Sequence, residues 1–107
     1  MVDHAEYVRA RVLLAIADDY EEVTQILIQL NRHTEPFVFL REEIKWALQS
    51  LFELGWAKVY DLWVSQVPLA GLPDVSRFDE LYFYVTPAGR EALCKFPKEW
   101  FPSWNED

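Results

Sequence analysis

Apolar side chains recur at helical spacing in three successive stretches of the chain, then give way to runs rich in strand formers. In the first stretch Val8, Val12, Ala15 and Ile16 fall on one helical face. Leu13, Leu14 and Ala17 widen that face until the helix reads as mostly buried. Asp3 and Glu6 have the spacing of a capping box, in which each side chain satisfies an amide of the first turn, so this helix is predicted to run to about Asp18. Asp19 and Glu22 repeat that spacing ahead of Val23, Ile26, Leu27 and Leu30, the cleanest helical pattern in the chain. The break between these two helices is weak, and one bent helix is the alternative.

Pro36 ends the second element, and Phe37-Val38-Phe39 is either a stub strand or a buried connector. A third helix starts near Leu40 with Ile44, Leu48 and Leu51 on its inner side. Glu42 and Glu43 suit its first turn, where the helix dipole favours anions, and Gly55 is placed to end it in the left-handed region.

From Trp56 to Val64 the chain alternates imperfectly but carries Val59, Tyr60, Trp63 and Val64, which predicts a strand. Pro68, Gly71 and Pro73 then mark a loop reaching to about Asp79, longer than a hairpin turn. Leu81 to Val85 reads as the returning strand. Tyr82 and Tyr84 share one of its faces and are expected to stack across the ribbon. Thr86 is a good N-cap and Pro87 a good first helical residue, which starts a short last helix through about Lys95. The fold class that follows is α+β.

This order resembles the winged helix-turn-helix domains, broadly those of the PadR-like and MarR-like transcription regulators. The resemblance rests on Ile44, Leu48, Leu51 and Gly55 in the third helix and on Tyr84-Val85-Thr86-Pro87-Ala88-Gly89-Arg90 closing the ribbon. It covers roughly Val12 to Leu93. It implies a three-helix core, a two-stranded antiparallel wing with room for a third strand, and a short C-terminal helix, together forming a domain over residues 1–95. It also implies a homodimer, and a third helix that enters the major groove of duplex DNA. With Ile44, Leu48 and Leu51 inward, the residues left to face a groove are Arg41, Glu42, Lys45, Trp46 and Gln49. Arg41 could then reach guanine, Gln49 an adenine edge and Lys45 a phosphate. The bland alternative pairs Arg41 and Lys45 with Glu42, Glu43 or Glu53 on a solvated surface.

Charge bears on that choice. The chain carries 18 acidic and 10 basic side chains, net −8, where a nucleic-acid domain is expected to show a basic patch. Residues 36–64 hold three bases against four acids, net −1, whereas residues 1–35 and 65–107 stand at −4 and −3. The third helix therefore lies in the least acidic part. The loop between the strands brings Arg77 alone against Asp74, Asp79 and Glu80, which is poor for gripping phosphate. Trp46 on an outer face suits a protein interface, where tryptophan is enriched as an anchor. A DNA-binding regulator and an acidic protein-interaction module both follow, with a small-molecule sensor a weaker third reading.

Nothing in the sequence predicts an enzyme, a cofactor or a metal site. Gly55, Gly71 and Gly89 are too scattered for a phosphate cradle, and His4 and His33 lie far apart with no partner at ligand spacing. Cys94 is the single cysteine, which suits a reducing cytoplasm, and it reads as a packed thiol. No apolar run nears the about 20 residues a membrane helix needs. The tail over residues 96–107 brings Trp100, Phe101 and Trp104, which are expected either to fold back on the domain or to form a dimer contact.

Overall fold

The computed structural model describes residues 3–32 and 38–101. Helix α1 spans His4–Asp18, α2 Val23–Leu30 and α3 Arg41–Glu53. Strands β1 (Ala57–Tyr60) and β2 (Tyr82–Val85) follow, with a 3-10 helix, Val75–Glu80, between them. Helix α4 (Pro87–Leu93) and a 3-10 turn at Lys98–Trp100 complete the order. The architecture is α+β, with the helices gathered against a two-stranded antiparallel sheet in which Ala57 pairs with Val85 and Tyr60 with Tyr82.

Local chemistry explains the boundaries. The Asp3 carboxylate accepts from the Ala5 and Glu6 amides at 3.0 and 3.4 Å, capping α1. Asp19 and Glu22 do not repeat that cap: Glu22 stands at the N-cap of α2 without a capping side-chain hydrogen bond, and the Asp19 carboxylate accepts from the Tyr20 amide. The intervening backbone is extended instead, because Glu21 exchanges both main-chain hydrogen bonds with Phe83, at 3.0 and 2.9 Å. This isolated bridge separates α1 from α2 and brings a third segment to the sheet edge.

Helix α3 begins with the Leu40 amide donating to the Glu43 carboxylate at 3.0 Å. At its other end Trp56 N donates to Leu51 O and Gly55 N to Phe52 O, with Gly55 at φ 81°. That is the paired closure which requires a left-handed residue at this position. Asn31, past the end of α2, gives and receives hydrogen bonds with the Phe39 backbone at 3.1 and 2.9 Å, so it brings the two ends of the α2–α3 connection together.

The core is continuous across all layers. Val8, Val12, Leu13 and Ile16 of α1 meet Val23, Ile26 and Leu30 of α2, and Ile44, Ala47, Leu48 and Leu51 of α3. Val59, Phe83 and Val85 close it from the sheet. The inward set expected for α3 is thus observed. The first strand is shorter than its sequence predicts: the Asp61 carbonyl accepts from both Val64 and Ser65, which turns the chain out of the sheet just past Tyr60. The long connection is also not a free loop. Phe78 on its 3-10 helix is fully buried, in edge contact with Phe83, and burying a phenylalanine contributes about 1.5–3 kcal/mol.

Candidate functional site

The outer side of α3 is held by charge pairs from the same chain. Arg41 Nη1 donates to one Asp79 oxygen at 2.7 Å, and Lys45 Nζ to the other at 2.8 Å. Arg41 also reaches Thr24 Oγ1 of α2 at 3.2 Å. The partner of these two cations is therefore neither Glu42, Glu43 nor Glu53, but an acid delivered by the 3-10 helix that Phe78 anchors. The hydrogen bond from Lys45, with that from Arg41 behind it, holds the Asp79 carboxyl below the usual carboxylate range. Lys45 is largely covered, with 17% of its side chain exposed, while Asp79 stands 45% exposed.

The other expected site residues are less engaged. Gln49 donates to Glu53 at 3.4 Å along the same helix. Arg77 lies on the connection and pairs with Asp61 at 3.3 Å and Glu80 at 3.5 Å. Glu42 is exposed. Together with Glu43, Trp46, His4, Ala5 and Val8 it lines a shallow cleft of about 280 Å³ between α1 and α3. Trp46 is partly exposed in that cleft, with the Arg9 guanidinium 5.2 Å from its ring centre. His4 hydrogen-bonds to Glu43 across the cleft. Partial burial works against the Glu43 charge, but bonds from His4 and the Leu40 amide outweigh it and lower its pKa.

Several residues stand elsewhere than the sequence suggests. Tyr84 stacks on Tyr20 of the α1–α2 connection, 4.8 Å between centroids, and Tyr20 also meets Tyr60 edge-on. Across the ribbon Tyr84 pairs with Lys58 and Tyr82 with Tyr60, so the ring that stacks on Tyr84 comes from outside the two strands. Cys94 is exposed, not packed. In the tail, Trp100 meets the edge of Tyr7 at 5.5 Å and stacks on Phe96, and both Trp100 and Phe101 are partly buried within the chain. Trp104 lies outside the described residues, as do His33, Pro36 and Phe37.

A further surface lies on the connection between the strands. Residues 62–73 carry no charged side chain, in a chain of which 26% is charged. Trp63, Val64 and Val67 in that stretch are 85, 79 and 67% exposed. An unbroken neutral run was visible in the sequence, but Trp63 and Val64 read as strand residues with a face to bury.

Among the described residues no group of three or more His, Cys, Asp or Glu side chains is placed to hold a metal ion. No helix there is long and apolar enough to cross a membrane. No family model, curated protein or solved structure matches the chain.

Proposed function

We propose that the chain is a small winged-helix domain that binds duplex DNA, with Arg41, Lys45 and Gln49 on the contacting face of α3. The order of α1, the bridge at Glu21, α2, α3, β1, a long connection, β2 and α4 supports this reading. The observation that carries it is the convergence of Arg41 and Lys45, one helical turn apart, on a single oxyanion. A phosphodiester oxygen is bound by the same donors. Affinity is expected to be modest, because phosphate neutralisation supplies most of it and few cations face outward here.

A mixed-sequence duplex titrated at low and moderate salt tests the reading. Binding that weakens with salt and is lost on joint Arg41→Ala and Lys45→Ala substitution supports it. No binding at low salt overturns it.

A second reading has its own observation. The exposed Trp63, Val64 and Val67 lie in a stretch that itself carries no cation, which suits a protein partner better than a phosphate backbone. In that reading the chain is an acidic winged-helix interaction module. It predicts that Trp63→Ala removes a purified partner's binding while the fold is kept.

A further inference from the structure

The DNA-binding reading leaves one feature of the same site unexplained, and the inference drawn from it rests on that reading. Arg41 and Lys45 do not await a ligand; they grip a carboxylate at 2.7 and 2.8 Å. Two cations on one carboxylate, one of them steadied by donating also to the Thr24 hydroxyl, make the donor set of a phosphate site, and Asp79 fills it. We propose that Asp79 is a resident stand-in for a backbone phosphate, and that a nucleic-acid phosphodiester binds α3 by displacing it.

The construction of the connection fits such an exchange. Phe78 is fully buried and fixes the 3-10 helix in place, whereas the next side chain, Asp79, stands 45% exposed. Its carboxylate can therefore rotate off the α3 cations into water without uncovering Phe78. Ion pairs with this much solvent access hold their partners weakly, so the resident carboxylate reduces affinity by about fivefold at most and does not abolish it. A duplex phosphate also brings the release of condensed counterions, which a lone carboxylate does not. Because its neighbours favour the charged form, Asp79 remains anionic across the neutral range, so a competing anion opens the site and a neutral ligand does not.

The test uses the full chain and a labelled mixed-sequence DNA duplex, with affinity read by fluorescence anisotropy over a series of salt concentrations. Asp79→Asn is expected to bind about fivefold tighter than the wild type. Its plot of log affinity against log salt should be steeper by about one, since the α3 face then meets the phosphates with one more net positive charge. Adding Arg41→Ala and Lys45→Ala should remove the gain. Asp74→Asn supplies the control, because it removes the same charge from the same connection at a side chain hydrogen-bonded to Ser76 and not to α3; it should change affinity less than twofold.

If the wild type binds and Asp79→Asn binds no tighter, the stand-in is overturned while the DNA reading survives. If neither binds at low salt, both fall. A gain that persists without Arg41 and Lys45, or that Asp74→Asn reproduces, is a general charge effect and overturns the proposal. Binding by Asp79→Asn alone overturns both, since the wild type then does not exchange its carboxylate for a phosphate.

Discussion

The Thr86 hydroxyl joins the end of α3 to the start of α4: it donates to the Gly55 carbonyl at 2.7 Å and accepts from the Gly89 amide at 3.0 Å. One side chain thus caps a helix and ties it to the turn that terminates another. Thr86→Val keeps the shape and removes both bonds. The loss of an N-cap with a second hydrogen bond is expected to lower stability by about 1–2 kcal/mol. Urea unfolding should show a lower midpoint at unchanged slope, and Thr86→Ser should recover most of it. An unchanged midpoint in Thr86→Val would show that the junction is held by packing alone.

Gly89 sits at the same junction for a different reason. A Cβ built there would lie 2.4 Å from the Trp56 carbonyl oxygen and 2.7 Å from a Val85 methyl. That carbonyl also accepts from the Thr86 amide, so it cannot retreat cheaply. Gly89→Ala gains helix propensity of up to about 1 kcal/mol. The overlap should exceed that gain, because forcing a methyl into a filled site typically costs about 1–3 kcal/mol. A melting temperature raised by Gly89→Ala would show that α4 can shift away from the ribbon.

These junctions also show what was legible before the structure. Thr86-Pro87, Gly55 and the inward set Ile44, Leu48 and Leu51 act through nearest-neighbour rules, so local spacing was enough to place them. Asp79 was visible only as an acid in a loop. Its role as partner to Arg41 and Lys45 depends on Phe78 folding the connection back to α3, a long-range contact with no periodic signature. The bridge at Glu21 was not legible for a related reason: Asp19 and Glu22 imitate a cap, and only the main chain of Phe83 draws that segment into an extended form. The buried Arg11, set against the rings of Tyr7 and Phe39, is a charged side chain inside the fold that the apolar spacing of α1 does not announce.

Two carboxylates should move stability in opposite directions with pH. Burial raises the Glu21 pKa, offset in part by the hydrogen bond from Gln29, with Asp18, Asp19 and Glu22 adding to the rise. A folded pKa above the unfolded one means that this contribution is full below about pH 4.3, the unfolded glutamate value, and is lost as pH rises through the folded value. Asp79 has the lowered pKa, so its contribution is present above about pH 3.9 and is lost as pH falls through its folded value. Glu21→Gln should therefore be more stable than the wild type near neutrality, and the two should converge in acid. Asp79→Asn should be less stable near neutrality, by no more than about 1 kcal/mol for so exposed a group, and should also converge in acid. Melting temperatures recorded from neutral to acid pH check both signs, and a Glu21→Gln curve lying below the wild type at neutrality would contradict the burial argument.

Trp63 provides the separation between the two functional readings. The tip that carries it is braced: Asp61 O accepts from the Val64 and Ser65 amides at 2.9 and 3.0 Å, and Leu69 N donates to Val59 O at 2.8 Å. Arg77 pairs with Asp61 at the base. A braced tip presents its apolar side chains at little ordering cost, yet those side chains contribute little to the fold because water already surrounds them. Joint Trp63→Ser and Val67→Ser substitution should leave stability within about 0.5 kcal/mol of the wild type. It should raise the solubility limit in ammonium sulfate, since the salt strengthens association through such a patch. Duplex affinity should stay within about twofold, because no phosphate-contacting cation is removed. A large loss of affinity would instead mean that the indole meets nucleic acid directly, and the tip would then belong to the same interface as Arg41 and Lys45 and not to a protein-facing surface beside it.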